Sequence, residues 1–199
     1  MKTNISITAL AITILMVLKS SAIMSANRTE QQQYKVIHTE KDFEIRFYPS
    51  ATIATVNSEA KTYRDLARPG FRRLAGYIFG GNETNTRIAM TAPVHMDISE
   101  SGSSMSFVMP SSYNKENLPK PTDPEVIIHQ TADEYVAVIR FGGYASDRKI
   151  KAFAGKLHDI LDEKGITTYG NARFLGYNPP FQLFGRRNEI VIPVNWKVE

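Results

Sequence analysis

The spacing of apolar residues changes along this chain, and each change predicts an element. Leu66, Phe71, Leu74, Ala75 and Ile78 recur at three-and-four spacing, one buried face of a helix, with Pro69 expected in its first turn. Gly80-Gly81-Asn82 predicts the end of that helix at Phe79, because glycine and asparagine tolerate the left-handed backbone of a C-terminal cap. Residues 87–94, which include IAMTAPV, then predict a strand or extended segment, with Pro93 at a strand end or sheet edge because it has no N–H to donate.

Further along, the same succession comes twice. The first pass runs FEIRFY (43–48), ATIATV (51–56), the helix, IAMTAPV and SMSFVMP (104–110). The second runs EVIIHQ (125–130), YVAVIRF (135–141), a helix over 147–164, ARFLGYNPP and NEIVIPV (188–194). Matching landmarks, Phe71 with Phe153, Pro110 with Pro193 and Pro93 with Pro179, stand 82 to 86 positions apart. Two copies of a strand-strand-helix-strand-strand unit are predicted.

The second helix carries the fuller signals: Ser146 as N-cap, Asp147 in the first turn, Ile150, Phe153, Leu157 and Leu161 on one face, and Gly165 as terminator. Between the copies, SSYNKENLPKPTDP (111–124) is polar and proline-rich and reads as an exposed connection inside one domain. One helix covers only one face of each half-sheet, so joining the two sheets is the economical way to build a core. The predicted fold is α+β: a distorted, mostly antiparallel β-barrel or sheet from a duplicated unit, flanked by two helices.

Residues 1–22 differ from the rest. Lys2 precedes an apolar stretch over 5–18, shorter than the roughly 20 residues of a spanning helix, and Ser20-Ser21-Ala22 has the small residues of a cleavage site. This predicts a signal peptide and a secreted or periplasmic protein; an uncleaved membrane anchor is the alternative. The division expected is a signal peptide over 1–22, a flexible segment over 23–33 and one domain over 34–199. The sequence has no cysteine, which excludes disulfides and a lipidated cysteine.

Cleavage after Ala22 removes Lys2 and Lys19, leaving 22 basic residues against 20 acidic ones. Such a balance points to no polyanionic partner, and neither Arg72-Arg73 nor Arg186-Arg187 lies in a run of basic and stacking aromatic residues. No nucleic-acid partner is expected.

The blocks FEIRFYPSATIATV, GFRRLAGYIFGGN, IAMTAPV, SFVMPSSY, LPKPTDPEVII, RFGGYA and YNPPFQLFGRRNEIVI, in this order over residues 34–194, resemble the SOUL haem-binding family. That resemblance implies a duplicated unit forming a barrel-like sheet flanked by two helices, in agreement with the repeat. It also implies haem or a related tetrapyrrole as ligand, in an apolar groove between the first helix and a loop near the C-terminal strands. Carried onto this sequence, one wall is Arg68, Phe71, Leu74, Ala75 and Ile78, and the other Phe181, Gln182 and Leu183. A porphyrin is a flat apolar disc with two carboxylates at one edge, so apolar side chains suit its faces and Arg68, Arg72 or Arg186 its propionates. The competing reading of Phe71, Leu74 and Ile78 is ordinary core.

Some members of the family resemble EIRHY in the first strand and place that histidine on iron; this chain reads EIRFY, and Phe47 cannot ligate. The remaining candidates are His38, His95, His129 and His158, with Met90 and Met96 as weaker thioethers; His95, directly after TAPV, is the foremost of a weak set. The chain has no nucleophile elbow, phosphate loop or dinucleotide fingerprint. Glu189 is a general acid or base only if it faces the groove, and otherwise a partner of Arg186 or Arg187. An exported tetrapyrrole carrier, scavenger or buffer is the leading expectation. A sensor-like module for planar amphiphiles and an enzyme acting on a tetrapyrrole or small ester are the alternatives.

Overall fold

A computed structural model describes residues 29–197, so the signal peptide expected over 1–22 lies outside the described residues. Among the described residues eleven strands and two helices follow one another as β1 (Glu30–Gln31), β2 (Lys35–Thr39), β3 (Glu44–Tyr48), β4 (Thr52–Ser58), α1 (Tyr63–Ile78), β5 (Thr91–Ala92), β6 (Val94–Ser99), β7 (Gly102–Val108), β8 (Ile127–Gln130), β9 (Glu134–Phe141), α2 (Asp147–Glu163), β10 (Arg173–Gly176) and β11 (Asn188–Pro193). Nine strands form one curled antiparallel half-barrel sheet in the order β2-β3-β9-β11-β10-β6-β7-β4-β8. The short β1 pairs in parallel with β5 beside it.

The duplication is visible in this order. β3-β4-α1-β6-β7 and β8-β9-α2-β10-β11 are the two copies, meeting where β6 pairs with β10. One landmark pair was misaligned: Pro93 precedes β6, whereas Pro179 follows β10, so these prolines sit at opposite ends of equivalent strands. IAMTAPV is accordingly not the first-copy strand. Its Thr91–Ala92 is taken up by β1, Pro93 follows a cis peptide bond, and the sheet strand begins at Val94.

Both helices pack on one face of the sheet. There Leu66, Leu74, Tyr77 and Ile78 of α1 and Leu157 and Leu161 of α2 meet Ile45, Val56, Met105, Phe107, Ile139, Phe174, Ile190 and Ile192. Such burial of apolar area from water is the main favourable contribution to folding. Gly70 lets α1 approach β7, since a Cβ there would stand 3.2 Å from the Met105 side chain. On the second helix, Phe153 stacks on Phe141 with ring centres 4.5 Å apart.

Local signals set the helix limits. Thr62 caps α1 by accepting from the Asp65 N–H, so the helix starts earlier than the apolar spacing implied and Pro69 lies inside it rather than in its first turn. At the other end the Gly81 N–H donates to the Gly76 carbonyl at 2.8 Å, while the Asn82 amide donates to the Tyr77 and Thr86 carbonyls. These bonds satisfy carbonyls that a helix terminus leaves free. Ser146 caps α2 as expected, and Gly165, at a φ of 66°, ends it.

Candidate functional site

The two faces of the sheet have different chemistry, and the predicted site residues divide between them. Leu74, Ala75 and Ile78 lie beneath α1 in the core, as the competing reading had it for Leu74 and Ile78, and are buried rather than open to a groove. Arg68 and Arg72 are exposed on the same helix. Phe71 sits at the boundary: it is 37% exposed, with its ring edge-on to Phe107 at 5.3 Å.

The expected second wall is the β10–β11 loop. Phe181, Leu183 and Phe184 are 81%, 65% and 85% exposed, the most exposed large apolar side chains among the described residues. The loop that presents them is extensively braced. Arg186 donates to the carbonyls of Pro179, Gln182 and Asn178 at 2.7, 2.8 and 3.3 Å, and its guanidinium lies 4.5 Å from the Tyr144 ring centre. Asn178 accepts from the Arg187 N–H and donates to Gln182, whose own amide donates to the Phe184 carbonyl. Arg186 and Gln182 are therefore structural braces of the loop, not free groups for a ligand. The loop follows β10, whose Phe174 meets Tyr63 at the start of α1 edge-on with ring centres 5.4 Å apart. The N-terminal ends of the helices are tied together by the Tyr63 N–H, which donates to Asp147 at 2.6 Å.

The opposite face holds a buried polar cluster that the apolar pattern did not reveal. Arg46 donates to both Glu189 oxygens at 2.8 and 3.2 Å; Arg187 and Tyr177 donate to the same carboxylate at 2.9 and 2.8 Å. Arg46 lies 4.2 Å from the Tyr34 ring centre and Arg187 3.8 Å from that of Tyr177. Burial pushes the Glu189 carboxyl up, but the hydrogen bonds and charges of Arg46 and Arg187, with the Tyr177 hydroxyl, hold it below the usual carboxylate value. Glu189 pairs with Arg187, as one sequence reading had it, and with Arg46 in place of Arg186. Its oxygens are saturated and face away from the helices, so it is no acid or base for a groove at α1. Its signal in the sequence was alternation: Glu189 falls between Asn188 and Ile190, which face the helices, and Arg46 between Ile45 and Phe47.

Residues 29–36 cross this second face as a strap. Gln31 accepts from Arg187, Gln32 bonds His95 at 2.8 Å and its N–H donates to the Ala92 carbonyl, Tyr34 accepts from Arg187, and Glu30 accepts from the Ser111 N–H. The stretch expected to be flexible over 23–33 is thus fixed from Glu30 onward by pairing with β5.

His95 belongs to the same face, since Val94 and Met96 on either side of it pack with the helices. Burial, and after it the charge of Arg173, depress its pKa to about 3. It is a neutral partner of Gln32 on the face turned away from α1, so it is not brought to the groove expected beside that helix. Met96 is core, Met90 packs against the core, and His38 pairs with Glu40 at 3.1 Å. Among the described residues no cluster of three or more His, Cys, Asp or Glu residues could hold a metal ion. Two surface depressions of about 360 and 280 Å³ lie elsewhere, the first around Asn57, Asp97 and Ser104, the second around Tyr135, Tyr169 and Trp196.

A duplicated α+β half-barrel with both helices on one face, and a braced apolar loop beside them, defines the class of protein. The chain belongs to the SOUL heme-binding protein family, whose profile matches residues 29–193. It is 33% identical to Heme-binding protein 2 of Mus musculus over 156 residues, covering 74% of this chain and 76% of the relative. Against Heme-binding protein 1 of Sus scrofa the identity is 29% over 157 residues, covering 74% and 82%. The fold is also that of the EcmrR C-terminal domain, at a TM-score of 0.52 and 13% identity, covering 81% of this chain and 98% of that one.

Proposed function

We propose that this protein is an exported carrier, scavenger or buffer of haem or a related tetrapyrrole, which holds the ring against the surface between α1 and the β10–β11 loop. Membership of a family described as heme-binding supports the ligand class. The observation that carries the site is the exposure of Phe71 on α1 and of Phe181 and Leu183 on the loop that follows β10, two elements joined by the edge-on packing of Tyr63 on Phe174. Large apolar side chains on a braced loop leave a surface that gains free energy when a flat apolar molecule covers it. Arg68 and Arg72 are exposed cations on the helix side, the chemistry that carboxylates at the ring edge would pair with.

Iron ligation by the first strand has no part in this reading. Phe47 occupies the position and packs against Tyr135 at 5.1 Å. Apolar cover and charge hold the ring. Export rests on the apolar leader and the small residues at 20–22. Titrating purified protein with haemin tests the reading: a saturable Soret shift with quenching of Trp196 is expected, and a spectrum identical to that of free haemin contradicts it.

A further inference from the structure

The β10–β11 loop exposes a third large apolar side chain, Phe184, beyond the Phe181 and Leu183 assigned to the ring contact. Phe184, at 85% exposure, is the most exposed of the three, and none of the three packs with the core. An ordered loop with its aromatic residues turned to water calls for a cover, and three features of the same end of the molecule indicate which.

The first is where the N-terminal chain enters. Gln31 accepts a hydrogen bond from Arg187 at the root of this loop, so the described part of the chain begins beside it, and the sequence ahead of it carries the apolar run over 5–18. The second is charge. Arg187 and Arg186 lie at the root; Lys149 donates to the Gly142 carbonyl close by, and Arg140 is the register partner of Glu189. Glu189 is shared by Arg46 and Arg187, and with both of them, Arg186, Arg140 and Lys149 set against Glu189, Glu30 and Asp147 the local balance is positive. The third is stiffness. The backbone carbonyls of Asn178, Pro179 and Gln182 are bonded to Arg186 and that of Phe184 to Gln182, so these polar groups are satisfied within the loop. Backbone entering the edge of a bilayer has to meet that condition.

We infer that Phe181, Leu183 and Phe184 form a membrane-contact loop, seating this end of the half-barrel in the headgroup region of an anionic lipid bilayer. Aromatic and leucine side chains beside Arg and Lys are the chemistry of interfacial binding, with the cations drawn to anionic headgroups. This inference does not rest on haem binding.

The absence of cysteine allows one fluorophore to be placed at will. Full-length, haem-free protein carrying nitrobenzoxadiazole on Phe184→Cys or Leu183→Cys is reconstituted into vesicles of phosphatidylglycerol and phosphatidylethanolamine. Ser101→Cys, on the β6–β7 turn at the far end of the sheet, is the control. The expected result is a blue shift and a severalfold rise in emission at 183 and 184, quenched by spin-labelled lipid and weaker in phosphatidylcholine alone, with no response at 101. A vesicle-bound chain whose labels at 183 and 184 stay water-exposed, or respond no more than the label at 101, overturns the inference. Haem titration of the same labelled protein fails or succeeds separately, so the two readings are distinguishable.

Discussion

Arg46 holds both oxygens of Glu189, at 2.8 and 3.2 Å, across 143 residues of chain. This pair joins β3 of the first copy to β11 of the second on the face without helices, and Arg187 and Tyr177 complete the carboxylate's partners. A buried pair of this kind is costly to break, because removing one charge leaves the other without compensation in a poorly solvated place.

Glu189→Gln is accordingly expected to destabilise the fold by about 3–5 kcal/mol, measured by denaturant unfolding. The pH dependence has a definite sign. The folded-state pKa of Glu189 lies below the ordinary carboxylate value, so its contribution is fully present above pH 4.5 and is lost as pH falls through the folded-state value. The variant is expected to lose that part of the acid dependence. Wild-type stability at neutral pH in Glu189→Gln contradicts the assignment.

His95 carries the same sign in a higher pH window. Its folded pKa, near 3, lies below the ordinary 6.5, so the unfolded chain binds its proton first and stability falls as pH drops from 6.5 towards 3. His95→Gln, which keeps a hydrogen-bonding partner for Gln32, is expected to flatten melting temperature against pH over that window. The wild-type imidazole proton signals are expected not to move between pH 7 and 5. Titration of that ring near 6.5 contradicts the enclosed site.

Gly81 tests the cap of α1. A Cβ at this position would stand 2.7 Å from the Gly76 carbonyl oxygen, a backbone atom that cannot yield without distorting the helix end. Gly81→Ala is expected to cost about 1–3 kcal/mol, read as a lowered denaturation midpoint. Gly155→Ala is the control, since nothing stands within 4 Å of the added methyl. Equal stabilities for the two variants contradict the close-approach account.

Much of this architecture was legible from residue spacing. Period-two and period-3.6 patterns found both helices and most sheet strands, and their repetition gave the duplication. Spacing was less informative where side chains obey local chemistry. IAMTAPV is apolar enough to read as a strand, yet only Thr91–Ala92 pairs, and its partner is a polar strap with no apolar signature of its own. The site was half legible for a similar reason. Periodicity names the residues on one helix face but not which of them the sheet covers: Leu74 lies directly over the sheet, while Phe71, at the edge of the same stripe, stays partly in solvent. Polar partners separated by 143 residues leave no periodic trace, so Arg46 escaped notice although Glu189 did not.

The central claim is that a tetrapyrrole lies on the surface shared by Phe71 and the β10–β11 loop, without His95 as an iron ligand. Haemin titration followed at the Soret band, on wild type, His95→Ala and the double variant Phe71→Ser, Phe181→Ser, tests it most directly. Saturable one-to-one binding is predicted for wild type, the same bound spectrum for His95→Ala, and an affinity at least about tenfold weaker for the double variant, given the apolar area removed. Undiminished affinity in the double variant, or a bound spectrum altered by His95→Ala, contradicts it.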